Sequence, residues 1–298
     1  MKLLIYGSKG WIGQQVIEYL KTLNDTNIEY VEGKVRIDDT NKVEDELQLI
    51  KPTNVLCLVG RTHGEIDGKV YPTIDYLEQK GKLVENVRDN LFCQVSLALL
   101  CQRYNVHLTL AATGCIFSYD STHTEEVGFT EEELPNYFDS SYSVMKGFTD
   151  RLMHLLPVCS ARIRMPISSQ PNSRNFITKI VNYQKICSVP NSMTVLDDMI
   201  PILIDLCKRK FIGTINLTNP GLISHNEVLE MYQKQVDPQF TWQNFSYEEQ
   251  RAILAAGRSN NLLDTTLLES MYPDVPNIKE SMKNVLRKYS SLIHTDLE

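Results

Sequence analysis

Four side chains near the middle of the chain have the types and spacing for carbonyl chemistry. Thr113 and Cys115 follow an apolar run, and Tyr142 and Lys146 stand four residues apart. On a helix, positions i and i+4 face the same side, so the phenol and the ammonium are expected to act together. A nearby ammonium favours tyrosinate and lowers the phenol from its usual value of about 10. Such a phenol can exchange a proton with a carbonyl oxygen near neutral pH. Thr113, at the carboxyl end of a strand, is placed to donate a further hydrogen bond to the same oxygen, because ligands of open parallel sheets bind at strand ends. The Cys115 thiol is surplus to this proton transfer. On residue chemistry alone it reads better as a buried strand-end thiol than as a base.

A second constellation opens the chain. Gly7-Ser8-Lys9-Gly10-Trp11-Ile12-Gly13 lies directly after the apolar run of residues 3–6. Glycines at this spacing between a strand and a helix let the backbone turn tightly, approach a pyrophosphate and pack the helix on the sheet. Gly7, Gly10, Trp11, Ile12 and Gly13 are therefore expected at a dinucleotide cofactor. Val59 and Gly60 at the end of the third strand, Pro166 after the fifth, and Tyr142 and Lys146 complete that set. After the second strand, Glu32 can accept from a ribose hydroxyl, which favours NAD. Lys9, Lys34 and Arg36 can pair with a 2′-phosphate, which favours NADPH. NADPH is the expected cofactor, NADH the less favoured one, and Arg36 the principal phosphate contact.

The elements that must position these groups follow from periodicity. Short apolar runs at 3–6, 28–31, 55–59, 106–113 and 158–164 read as strands. Helical spacing covers 11–23, 43–50, 83–104 and 140–156, the last carrying both Tyr142 and Lys146. Alternation of this kind requires crossovers, hence an α/β, Rossmann-like doubly wound parallel sheet. Beyond Met165-Pro166 short helices such as 174–183 and 226–235 alternate with loops. Residues 1–165 are expected to form the cofactor domain, with a return segment near 193–212, and 166–298 mainly a smaller substrate domain.

Composition narrows the class. A formal net charge of -7 gives no basic face for nucleic acid. The seven cysteines contain no Cys-x-x-Cys pair and, with the six histidines, no metal-ligand spacing, so no metal site is expected. Free thiols in apolar runs fit a reducing compartment. No apolar run is long enough to span a bilayer, and the first one is too short for a signal peptide. A cytoplasmic protein is expected.

With these residues in place the chain resembles the extended short-chain dehydrogenase/reductase superfamily. More narrowly, it is similar to the bifunctional 3,5-epimerase/4-reductases acting on UDP-4-keto-6-deoxyglucose. The resemblance covers nearly the whole chain. It rests on the glycine loop, Ala112-Thr113-Gly114-Cys115-Ile116-Phe117, Arg164-Met165-Pro166-Ile167-Ser168-Ser169, Arg174-Asn175-Phe176-Ile177-Thr178-Lys179-Ile180, Pro190-Asn191-Ser192-Met193-Thr194, Thr218-Asn219-Pro220-Gly221 and Arg258-Ser259-Asn260-Asn261. It implies conversion of UDP-4-keto-6-deoxy-D-glucose to UDP-L-rhamnose with NADPH. Thr113, Tyr142 and Lys146 would serve reduction at C4. Cys115 and Lys179 would form the acid/base pair for epimerisation at C3 and C5, and the role of Lys179 rests on the resemblance almost wholly. Asn175, Lys179, Asn191, Arg258 and Asn261 are the expected substrate contacts, with Arg258 on the diphosphate. Partners implied are a separate 4,6-dehydratase that supplies the substrate, and a second copy of the chain bound through the helices at 83–104 and 140–156. Competing readings are a single-function 4-keto-sugar reductase, an enzyme of a GDP sugar, and a catalytically silent NADP-binding regulatory subunit. The segment 61–72 departs from the shorter loop associated with the family.

Overall fold

The computed structural model describes residues 1–23 and 25–295. The chain forms two compact units. The first comprises Met1–Ile116, Leu134–Arg162 and Ile200–Ile215, and the second Phe117–Glu133, Ile163–Met199 and Asn216–Glu298. Residues 117–133, expected in the cofactor domain, thus belong to the second unit, and the return segment begins at Ile200 rather than near 193.

In the first unit, β1 (Lys2–Tyr6), α1 (Trp11–Leu23), β2 (Glu29–Glu32), α2 (Thr40–Ile50) and β3 (Asn54–Cys57) alternate as expected. A hairpin follows, β4 (Gly64–Ile66) and β5 (Lys69–Tyr71), then a 3₁₀ turn at Ile74–Glu78. The helix expected over 83–104 is built in three pieces: α3 (Leu83–Val87), a π-helical turn at Arg88–Phe92, and α4 (Cys93–Arg103). After these come β6 (His107–Thr113), α5 (Ser141–Met153) and β7 (Val158–Ile163). The second unit holds α6 (Phe176–Val181). α7 (Leu196–Arg209) and β8 (Gly213–Asn216) lead the chain through the first unit and back, and α8 (His225–Gln235), α9 (Tyr247–Ile253), α10 (Thr266–Met271) and α11 (Ile278–Thr295) follow.

The six-stranded sheet has the order β2-β1-β3-β6-β7-β8. The pairs β1·β2, β1·β3 and β3·β6 are parallel, with Leu4 opposite Val31 and Val55, and Leu56 opposite Thr109. β3 is buried along its whole length, because helices cover both faces of such a sheet, and this is why its sequence does not alternate. Leu4, Val55, Leu108 and Val158 of the strands pack with Val43, Leu47, Leu97 and Cys101 of the helices. The second unit has its own core, in which Ile177 and Ile180 of α6 meet Val228 and Leu229 of α8 and Met282 and Leu286 of α11.

Two features fix α5, the helix of Tyr142 and Lys146. Ser140 caps its first turn, its hydroxyl accepting from the Ser143 N–H at 3.1 Å. Farther along, Asp150 accepts from Arg162 of β7 in a two-pronged pair, both bonds 2.8 Å. The Arg162 side chain is fully buried, and a buried guanidinium needs a charge partner such as this carboxylate. Among the described residues, no helix is long and apolar enough to cross a membrane, and no cluster of His, Cys, Asp and Glu could hold a metal ion.

Candidate active site

The sheet order changes direction between β1 and β3, which is where a doubly wound sheet opens its ligand crevice. Gly7 follows β1 there with φ +87°. A Cβ on it would lie 3.0 Å from the Leu58 carbonyl carbon and 3.2 Å from the Val59 nitrogen. A Cβ on Gly13 would come within 2.2 Å of the Gly7 carbonyl oxygen. Only glycine permits this backbone, so the loop makes a close cradle at the N-terminus of α1 that fits a dinucleotide pyrophosphate. Arg36 is placed differently from the expectation of a guanidinium awaiting a phosphate. Its Nε and Nη2 donate to the two carboxylate oxygens of Asp38, both at 3.0 Å, and Asp89 lies 3.7 Å away.

The candidate reactive groups of the first unit, Thr113, Cys115 and Tyr142, lie together at the end of β6. Thr113 Oγ1 accepts from the Cys115 N–H at 3.1 Å, and the Cys115 carbonyl accepts from Ser143 Oγ at 2.8 Å. The thiol-bearing turn is therefore clamped between the strand end and the first turn of α5. Of the seven thiols, Cys115 alone is partly exposed, and the other six are buried. Burial pushes Cys57 up to about 11 and Cys93 and Cys207 up to about 12, which keeps those thiols protonated. Cys115 is thus the one thiol of the seven that solvent reaches, and access is what a thiol needs in order to react.

Tyr142 is 8% exposed, and its phenol is hydrogen-bonded to Thr113. The expectation of a lowered phenol pKa needs correction. Burial drives it up, the neighbouring Cys115 adds to the rise, and the Thr113 hydrogen bond offsets only part of it. The ammonium expected to pull it down is turned elsewhere, since Lys146 Nζ donates to Gln94 Oε1 at 3.0 Å. A protonated phenol is the form that gives a proton to a developing alkoxide, so the shift suits reduction rather than oxidation. Burial lowers Lys146 to about 8.

The departing segment 61–72 explains the burial of Tyr142. Asp67 and Gly68, at φ 49° and 79°, form the tip of the β4–β5 hairpin, both with the positive φ that a two-residue type I′ turn demands. Ile66 and Tyr71 of the hairpin, with Ile74, Tyr76 and Leu77, form an apolar cluster that includes Tyr142 and Cys115. Tyr76 and Gly64 are in close register, for a Cβ on Gly64 would lie 2.3 Å from the tyrosine ring.

In the second unit, Lys179 lies on α6. Burial first, and then the charges of Arg174 and Arg258, lower its ammonium to about 8. This identifies a cluster of three cations, of which Arg174 escaped the sequence reading although it adjoins Asn175. Arg258 Nη1 also donates to the Ala256 carbonyl at 2.8 Å. The three asparagines expected on the substrate are used by the protein instead. Asn175 caps α6 by accepting from the Ile177 N–H at 3.2 Å and donates to Ser168 and Gln170 carbonyls. Asn191 donates to the Val189 carbonyl and to Asn260, and accepts from the Asn261 N–H at 3.0 Å. Asn261 donates to the Phe117 carbonyl at 2.8 Å and to Ser259 Oγ at 3.1 Å. All three are fully buried, and buried loop carbonyls and N–H groups need such partners.

No family model matches the chain. The crystal structure of the UDP-rhamnose synthase from Acanthamoeba polyphaga mimivirus is 53% identical to it, with a TM-score of 0.91 over 97% of this chain and 99% of that one. A bifunctional dTDP-4-dehydrorhamnose 3,5-epimerase/dTDP-4-dehydrorhamnose reductase of Arabidopsis thaliana is 43% identical over 283 residues, covering 94% of this chain and 90% of the relative. A trifunctional UDP-glucose 4,6-dehydratase/UDP-4-keto-6-deoxy-D-glucose 3,5-epimerase/UDP-4-keto-L-rhamnose-reductase of the same plant is 42% identical over 286 residues, which are 41% of its length. A dTDP-4-dehydrorhamnose reductase from Clostridium acetobutylicum, 18% identical with a TM-score of 0.79, shares the fold. Identity at this level over nearly the full chain fixes the family: the chain is a member of the bifunctional nucleotide-sugar 3,5-epimerase/4-reductases, the UDP-rhamnose synthases of the extended short-chain dehydrogenase/reductase superfamily.

Proposed function

We propose that the protein converts UDP-4-keto-6-deoxy-D-glucose to UDP-L-rhamnose by two epimerisations and one reduction, with NADPH as the preferred cofactor. The observation that carries this reading is the convergence of Thr113, Cys115 and Tyr142 at the end of β6, with Cys115 the one partly exposed thiol. A ketone at C4 acidifies the C3 and C5 protons. Inversion needs a base on one face and an acid on the other. Cys115 removes the proton, and Lys179, an ammonium that burial and two guanidinium groups make easier to deprotonate, returns it. Tyr142 then gives its proton to the C4 oxygen while Thr113 holds that oxygen by a hydrogen bond. The nicotinamide dinucleotide, held in the Gly7–Gly13 cradle with Lys146 at its ribose, supplies the hydride when bound. Arg36 would hold the 2′-phosphate, giving up its pairing with Asp38. The assay is cofactor oxidation by the purified protein, which should require UDP-4-keto-6-deoxyglucose and run faster with NADPH than with NADH. Indifference to the keto sugar contradicts the reading.

Arg174 and Arg258 bind the diphosphate. A charge-assisted hydrogen bond is worth about 1.5–3 kcal/mol, so Arg258→Met should weaken UDP binding by about 10- to 100-fold in isothermal calorimetry. Unchanged affinity would remove Arg258 from the site.

The substrate must come from a 4,6-dehydratase acting on a nucleotide sugar. We also propose a homodimer. Val84, Leu99, Phe148 and Leu155, on and beside α3, α4 and α5, are all more than half exposed, and apolar faces of this kind mark association surfaces. The wild-type protein should sediment as a dimer and Phe148→Glu as a monomer. A monomeric wild type contradicts the assignment.

A further inference from the structure

Asn86, Asn90 and Gln94 stand at i, i+4 and i+8 along α3, the π-helical turn and α4, and all three are fully buried. Three buried amides in one row are costly unless each is hydrogen-bonded, and here each is. Asn86 Nδ2 donates to Ser141 Oγ, at the start of the Tyr142 helix, at 2.9 Å. Asn90 donates to Asn86 Oδ1 and to the Arg61 carbonyl, and accepts from the Arg61 N–H, each at 2.9 Å. Gln94 Nε2 donates to the Val59 carbonyl at 2.6 Å, and its Oε1 accepts from Lys146 Nζ at 3.0 Å.

The last residue of the row has a consequence for the chemistry. The Val59 carbonyl can only accept, so it fixes which end of the Gln94 amide faces it and leaves the oxygen facing Lys146. We propose that Gln94 is a positioning residue for the reduction, holding Lys146 protonated and aimed by presenting a neutral acceptor locked to the loop that follows β3. The inference rests on the reading in which Lys146 serves the reductase step.

The other groups around Lys146 do not take over this task. Cys57 of β3 and Cys93 of α4 are thiols that burial raises to about 11 and about 12, so both are neutral near pH 7. Tyr142, on the same helix, is likewise held in its neutral form by burial. Asp150, one turn farther along, lines the same small recess as Gln94, Thr113 and Lys146, but its carboxylate is engaged by Arg162. The ammonium is itself almost fully buried, and burial lowers it to about 8. At that value the protonated fraction responds steeply to a change of acceptor near physiological pH.

Two substitutions of similar size separate this role from simple packing. Gln94→Met removes the acceptor, and Gln94→Glu replaces it with an anion. The Lys146 titration is read by NMR on protein carrying carbon-13-labelled lysine, the resonance being assigned by its loss in Lys146→Met. The titration should move down by about one pH unit in Gln94→Met and up by about one in Gln94→Glu, a tenfold change each way in proton affinity. The basic limb of the pH profile for keto-sugar reduction should move in the same two directions. Shifts of the same sign in both folded variants, or none, would overturn the assignment. A wild-type protein that reduces no keto sugar would instead overturn the functional reading. The NMR titration, which needs no substrate, still decides whether Gln94 governs the lysine.

Discussion

Tyr142→Phe should lower the rate of C4 reduction by about 10²- to 10⁴-fold, the range that a positioned general acid contributes. The substitution keeps the ring that packs against Tyr76 and Leu77 and deletes only the phenolic hydroxyl that is hydrogen-bonded to Thr113. Folding and cofactor binding should therefore survive. Proton exchange at C3 and C5 should survive too, because it is assigned to other groups. The measurement is NADPH oxidation with UDP-4-keto-6-deoxyglucose, beside proton NMR of the same sugar in D₂O without cofactor. A variant that reduces within a few-fold of wild type would exclude Tyr142 as the donor. One that loses reduction and exchange together would mean that the two reactions share the phenol.

The complementary variant is Cys115→Ala. Cys115 is held by its backbone, through Thr113 Oγ1 and Ser143 Oγ, so loss of the sulfur leaves the turn anchored. Solvent exchange at C3 and C5 should fall by about 10²- to 10⁴-fold, while reduction of a pre-epimerised UDP-4-keto-L-rhamnose continues. The wild-type exchange rate should also carry the signature of its partner. With Lys179 lowered to about 8, the acid that returns the proton is present below that pH and lost as pH rises through it. The kcat/KM for exchange should therefore decline above about pH 8, as a profile of the free enzyme. Undiminished exchange in Cys115→Ala would sink the thiol as base.

How much of this was legible in the sequence differs from element to element. The strand-helix alternation of the first unit was, because β1 and β3 are short apolar runs between turn residues, and the helix over Trp11–Leu23 has the observed bounds. The hairpin could have been read but was not: Asp67-Gly68 between short strands is the usual signal of a two-residue turn. The π-helical turn at Arg88–Phe92 was not legible, since it uses residues that an ordinary helix would accept. It is fixed by contacts distant in sequence, such as Thr149 Oγ1 donating to the Asn90 carbonyl at 2.7 Å. The grouping of 117–133 with the second unit also depends on distant partners, for example Asn216 donating to the Phe129 carbonyl at 2.9 Å.

In the site, spacing alone supported Tyr142 with Lys146, and the strand end supported Thr113. The direction of the Tyr142 shift was not legible, because it comes from burial by a hairpin and from a lysine that bonds Gln94 instead. Asn175, Asn191 and Asn261 stood out as polar residues in distinctive segments. Their loops turn out to consume the amides, a fact that only the folded hydrogen-bond network reveals. The role of Cys115 gains support from exposure, which a sequence withholds: six other thiols are buried and this one is partly exposed.

The claim that one polypeptide inverts two carbons and reduces a third is tested most directly by a single incubation. Purified protein, UDP-4-keto-6-deoxy-D-glucose and NADPH are combined in D₂O, and the product is identified by NMR. The account predicts UDP-L-rhamnose with deuterium at C3 and C5 and the cofactor's hydrogen at C4. A UDP-6-deoxy-D-hexose with hydrogen retained at C3 and C5 would contradict it, leaving a reductase without an epimerase.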